Sequence, residues 1–252
     1  MKILELIRPA YLEVRRIGNN IRRSIEYSLS AKKKDIKIAI STVLGYSEQT
    51  IPKLINDLKK YGFSGNSIYV FEGGHNKIEH SFAGYHYYKI DHNSFDLNGL
   101  ITINELNLNA DYWLLLHDTV TIGKKFKKMV YTCQFKNFLG LKLLKKDVSM
   151  NIGFYSMPLI RQNSEYLHSF KNTDYTEKGL LNAKERGAIE EDYIFKNSQN
   201  IGYVHYDLQY RVKCENDVMY KGRLRRMEYY PQLDMTKYKA NFVTDKEWII
   251  KL

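Results

Sequence analysis

The 252-residue chain has only two cysteines, Cys133 and Cys214, too few and too far apart for a disulfide framework or a cysteine metal pair. Reduced thiols in a cytoplasmic compartment are the expectation. Four prolines and 15 glycines beside 21 tyrosines exclude a Pro- or Gly-rich low-complexity segment and argue for an ordered chain. No run of about 18 apolar residues occurs, and the first residues lack the apolar core of a signal peptide. Neither a spanning helix nor ordinary export is therefore expected. The glycines form no G-x-G-x-x-G and no G-x-x-x-x-G-K-[ST], so any nucleotide must be held by something other than these phosphate loops. There is no internal repeat.

Positive charge, by contrast, is in excess. Lys and Arg number 39 against 28 Asp and Glu, giving +11 and a pI near 9.3, which suits an anionic partner: nucleic acid, acidic lipid or a phosphorylated substrate. The basic residues are dispersed over Arg15-Arg16, Arg22-Arg23, Lys32 to Lys34, Lys124-Lys125, Lys145-Lys146 and Arg225-Arg226, more like solvated surface than one binding groove. Residues 1–34 combine Ile3, Leu4, Ile7, Val14, Ile17, Ile21 and Ile25 at helical spacing with Arg8, Arg15, Arg16, Arg22 and Arg23. Such a basic amphipathic helix either packs on its own domain, the more ordinary outcome, or lies peripherally on an anionic membrane.

At 44% hydrophobic residues the chain can bury the core of one compact α/β unit. A strand is predicted at 35–40 (Ile36, Ile38, Ile40), followed by Ser41-Thr42 and a loop. Ser47 opens a helix with Ile51, Leu54, Ile55 and Leu58 on one face, ending at Tyr61-Gly62. A second strand at 67–71 ends in Glu72-Gly73-Gly74-His75, a third covers 85–90, and a helix leads through Leu106. This alternation predicts a mostly parallel sheet with Ser41-Thr42 and Glu72 at adjacent strand ends. Later come a strand at 149–155, a helix at 165–170, helix or loop at 175–186, short strands at 204–206 and 209–212, and from Arg223 a basic aromatic tail without clear periodicity.

The organising stretch is Tyr112 to Leu116, an apolar run that reads as a strand buried on both faces and stops at His117-Asp118-Thr119. Ligands of open α/β sheets sit beyond the carboxyl ends of strands, which makes this triplet the candidate site; an ordinary polar turn is the plainer reading. Ser41-Thr42 likewise reads as either a nucleoside contact or a strand-to-loop turn. Glu190-Glu191-Asp192 precedes the apolar Tyr193, Ile194 and Phe195 and can be simply the acidic start of a helix.

Taken in order, Ile36–Ile40, the helix to Lys60, Ile68–Phe71 with Glu72, Ala110-Asp111-Tyr112 leading into His117-Asp118-Thr119, and Glu191-Asp192 resemble a GT-A glycosyltransferase of the inverting, family 2-like type. In that family an apolar strand enters a D-x-D motif that binds the metal and diphosphate of a nucleotide sugar. Here the first and third acidic positions are His117 and Thr119, leaving Asp118. The resemblance implies a GT-A fold with a basic N-terminal helix (1–34), a nucleotide-sugar-binding half (35–125) and an acceptor half with a tail (126–252). It implies that Ser41, Thr42, Tyr46, Glu72, His117 and Asp118 line the donor and that Mn²⁺ or Mg²⁺ sits on Asp118 with a later imidazole such as His205. Asp192 would be the general base with Glu191 beside it, and Asn151 and Arg161 would face a glycan, lipid-linked or protein acceptor. The rival readings are a basic nucleic-acid-binding protein with stacking aromatics, a sugar-phosphate nucleotidyltransferase, and an inactive scaffold of the same fold.

Overall fold

The computed structural model describes residues 34–132, 140–142, 152–190, 201–203, 212–213, 218–220, 223–230 and 233–239, with scattered positions between 10 and 25. Two-residue alternation builds the sheet. In β1 (Ile36–Val43), Ile36, Ile38 and Ile40 enter one core and Ala39 the other. In β5 (Tyr112–His117), Leu114 and Leu116 enter the first core while Trp113 and Leu115 enter the second. The run is continuously apolar because both faces are covered.

Helix α1 (Ser47–Lys60) covers the first face with Ile51, Leu54, Ile55 and Leu58, and it ends where Gly62 turns into the left-handed region at φ +89°. Helix α2 (Asn98–Glu105) covers the second face with Leu100, Ile101 and Ile103. The chain is thus α/β, a central sheet between helical layers.

The remaining strands of this sheet are β2 (Ile68–Gly73), β3 (Glu79–Phe82), β4 (His86–Ile90), β7 (Gly140–Lys142), β8 (Gly153–Ser156) and β9 (Ile201–Tyr203). Among the described residues its order is β3-β4-β2-β1-β5-β8-β7-β9. Strands β4, β2, β1 and β5 are parallel, whereas β3 is antiparallel to β4 and β8 to β5. The sheet is therefore mixed, with the parallel centre that the alternation predicts and antiparallel pairings outside it. The unforeseen β3 shows why: only Ala83-Gly84-Tyr85 join it to β4, and so short a loop can connect only antiparallel strands.

Other departures lie in the second half. Helices α3 (Phe126–Tyr131) and α4 (Met157–Gln162) were not foreseen, α5 is Ser164–His168, and the ambiguous 175–186 is helix α6 (Glu177–Glu190). Strand β8 covers the later part of the strand expected at 149–155, whose residues 149–151 lie outside the described ones. The expected strands at 204–206 and 209–212 fall largely outside the described residues. The supposed tail contains β12 (Arg223–Tyr230) and β13 (Met235–Lys239), an antiparallel pair in a second sheet where β12 also pairs with β10 (Val212–Lys213) and β11 (Val218–Tyr220). Strand β13 pairs with β6 (Val120–Ile122), directly after the polar triplet, and buries Leu233 and Met235 completely. Nothing local signals this contact, because its partners lie more than 110 residues apart.

Leu114 is fully buried at the sheet centre, whereas Leu44 is 56% exposed. Leu114→Ala is expected to lower the unfolding free energy by about 2–5 kcal/mol, and Leu44→Ala to change it by no more than about 0.5 kcal/mol. Urea denaturation read by circular dichroism measures both.

Candidate functional site

The strand order reverses at β1: the chain moves outward to β2 and β4, then returns to β5 on the other side of β1. At such a switch point the carboxyl ends of the strands open a crevice that binds ligands in α/β sheets. Ser41 is in register with His117, and Thr42 with Glu72. Five of the sequence-predicted residues, Ser41, Thr42, Glu72, His117 and Asp118, therefore meet at one edge of three adjacent strands. Each is at most 4% exposed, so this polar edge is buried. Ser41-Thr42 lie within β1 and His117 within β5, one step earlier in the chain's turning than expected.

Asp118 is held from two elements. Its Oδ2 accepts from Thr42 Oγ1 at 2.6 Å and from Thr50 Oγ1, on α1, at 3.0 Å. Burial nevertheless pushes the carboxyl up to about 6, against the pull of those hydrogen bonds and with a small addition from Asp96. Glu72 is similarly engaged: Ser47 donates to Oε1 and His75 Nε2 lies 2.6 Å from Oε2. The Tyr87 hydroxyl adjoins the same group and is raised mainly by burial. Tyr46 is half-buried before α1, with its carbonyl accepting from the backbone N–H of Gln49 and Thr50.

A loop missed as part of the site, residues 91–98, closes over β1. Ser41 anchors it, donating to the Asp96 carbonyl at 3.1 Å and accepting from Gly99 N–H at 3.0 Å. Asn98 braces it as well, donating to the Thr42 carbonyl and accepting from Ser94 N–H. Gly73 permits this approach, since a Cβ there would meet Asn98 Nδ2 at 2.5 Å and the His92 carbonyl at 2.7 Å. Behind the loop, burial pushes fully enclosed His92 down to about 4, so its ring is neutral. Thr102 Oγ1 spends its proton on the Asn98 carbonyl, so His92 Nε2–H donates to Thr102 and Nδ1 accepts from Ser94.

This bracing holds Phe95 at φ +51°, a strained conformation for a bulky residue that costs on the order of 1–3 kcal/mol. The consequence is the position of Asp96, whose Oδ1 lies 3.5 Å from His117 Nδ1. With its side chain 38% exposed, Asp96 is reached by solvent, unlike Glu72 and Asp118. In sequence Asp96 reads only as a helix-start residue; its pairing with His117 needs the fold.

Arg161 stands apart from this group. It is exposed on α4 and donates to Asn107 Oδ1 at 2.6 Å, in the turn that enters the amino end of β5. Asn151, Glu191, Asp192 and His205 lie outside the described residues. Glu190 falls within α6, whose bounds are Glu177–Glu190, and the residues that follow it lie outside the described ones. Lys184 of that helix lies 5.7 Å over the Phe95 ring, which brings α6 alongside the crevice loop.

The described residues do not fit a Mn²⁺ or Mg²⁺ ion at Asp118. Both ions take several oxygen ligands, and here the acceptor edge of a single buried carboxylate already holds two hydroxyl protons. Among the described residues the grouping with metal-ligand spacing is Asp91, His92 and Glu105. There Lys171 Nζ already lies 3.0 Å from Glu105 and 3.2 Å from Asp91, while both His92 nitrogens face hydroxyls. An ammonium ion does the work of a cation, and the group ties the loop to residue 171.

No protein-family model, curated protein or solved structure matches the chain.

The raised carboxyl of Asp118 has a defined effect on stability. Protonation at about 6 in the folded state, against 3.8 when unfolded, contributes stability that is full below pH 3.8 and lost as pH rises through 6. The loss at pH 8 is about 3 kcal/mol by the usual conversion. Asp118→Asn retains an acceptor for Thr42 and Thr50 but carries no charge. It is expected to be more stable than wild type at pH 8 by about 2–3 kcal/mol and to show a flatter profile between about pH 4 and 6. Urea titrations at a series of pH values provide the comparison.

Proposed function

We propose that the chain is a glycosyltransferase that moves a sugar from a nucleotide diphosphate sugar to an acceptor hydroxyl with inversion. The observation that carries this reading is the convergence of Thr42, Glu72, His117 and Asp118 at the carboxyl ends of three neighbouring strands at the switch point. On the GT-A resemblance, that is the donor edge. His117, backed by Asp96, is suited to donate a hydrogen bond to the diphosphate, whose charge is most in need of neutralising when it leaves. The buried Asp118 acts through position: it fixes the end of β5 against β1 and α1 beneath the donor.

Transfer requires a carboxylate to take the proton of the attacking hydroxyl, a role that the resemblance gives to Asp192 with Glu191 as neighbour. General-base help of this kind contributes about 10²–10⁴-fold. The acceptor is a hydroxyl of a glycan, a lipid-linked sugar or a protein.

A thermal-shift screen of nucleoside diphosphates and nucleotide sugars, each with and without Mn²⁺, tests the donor. One nucleotide at about 100 times its Kd should add about 2.7 kcal/mol, equivalent to several degrees. With that donor, Asp192→Asn should slow transfer by about 10²–10⁴-fold while leaving the shift intact. If no nucleotide moves the melting temperature, and a single-stranded oligonucleotide does so with strong salt dependence, the nucleic-acid-binding reading takes its place.

A further inference from the structure

Every described position between 10 and 25 is helical, and the apolar side chains described there are exposed. Tyr11, Val14, Ile17, Ile21 and Ile25 are between 50 and 69% exposed, where a helix docked on its own domain would bury them. At about 100° per residue these five fall within an arc of about 120°, with Arg15 and Arg22 at its border. Among the described residues no helix is long and apolar enough to cross a membrane. A helix with one apolar face and a basic border can instead lie in the plane of a bilayer, its arginines reaching up to the headgroups.

Charge selects the occupant. Residues 1–34 hold nine Lys or Arg (Lys2, Arg8, Arg15, Arg16, Arg22, Arg23, Lys32, Lys33, Lys34) against three Glu (Glu5, Glu13, Glu26), a net +6 of the chain's +11. Two copies of so basic a helix repel each other along a shared apolar seam, whereas an anionic surface attracts one. We infer that this helix docks the protein on an anionic lipid surface, apolar arc inward. The inference does not depend on the sugar-transfer reading, but it would hold the crevice near acceptors that reside in a membrane.

Flotation of the full chain on a density gradient tests it, with vesicles of phosphatidylcholine alone and of phosphatidylcholine with phosphatidylglycerol. The chain should rise only with the anionic vesicles, and less at high salt. Arg15→Ala with Arg22→Ala should weaken binding about 30-fold, at the usual contribution per basic residue near a charged surface. Val14→Glu with Ile21→Glu should abolish it. All four positions are exposed, so the circular dichroism melt of both variants should match wild type. Failure of the wild type to float overturns the inference, as does undiminished flotation of the glutamate variant, which would mean adsorption by charge alone. A dimer in analytical ultracentrifugation that the glutamate variant dissociates also overturns it, and gives the face to a second copy.

Discussion

A carboxylate removed from water needs donors, and the way Asp118 finds them organises one end of the molecule. Thr42 comes from the last turn of β1, Thr50 from the first turns of α1, and Asp118 from the step beyond β5. One acceptor edge thus ties the two strands that flank the switch point to the helix lying over them. The group remains strained in its protonation, raised by burial more than the two hydroxyls lower it.

The opposite wall of the crevice is built on different physics. Loop 91–98 is pinned through neutral, saturated hydrogen bonds: His92 between two hydroxyls, Asn98 between two backbone groups, Ser41 between a carbonyl and an N–H. That redundancy can hold Phe95 in its unfavourable backbone conformation. Strain located there sets Asp96, a solvent-accessible carboxylate, beside His117. Much of Ser41's hydrogen-bonding capacity serves this bracing, which places it among the supports of the site and not its contacts.

The apolar periodicities of β1, α1, β2 and β5 were legible because burial on a face writes itself into spacing. Ser41, Thr42, Glu72, His117 and Asp118 were found by the same logic, as the polar residues at which apolar strands end. Asp96 and Thr50 were not, since an acid before a helix and a threonine inside one have ordinary local explanations. The hairpin of β12 and β13 was illegible for another reason. Its strands carry basic and aromatic residues without an alternating pattern, and the core they complete is supplied by residues far earlier in the chain.

Local sequence thus determined which segments extend, which coil and where apolar runs give way to polar residues, because side-chain spacing follows the backbone period. It also determined the concentration of positive charge in the first 34 residues. Only the tertiary structure decided the strand order, the mixed direction of the sheet and the exposure of the N-terminal apolar arc. It alone brought Asp96 to His117 and Thr50 to Asp118, because those contacts depend on how separate elements cross, which no local pattern encodes.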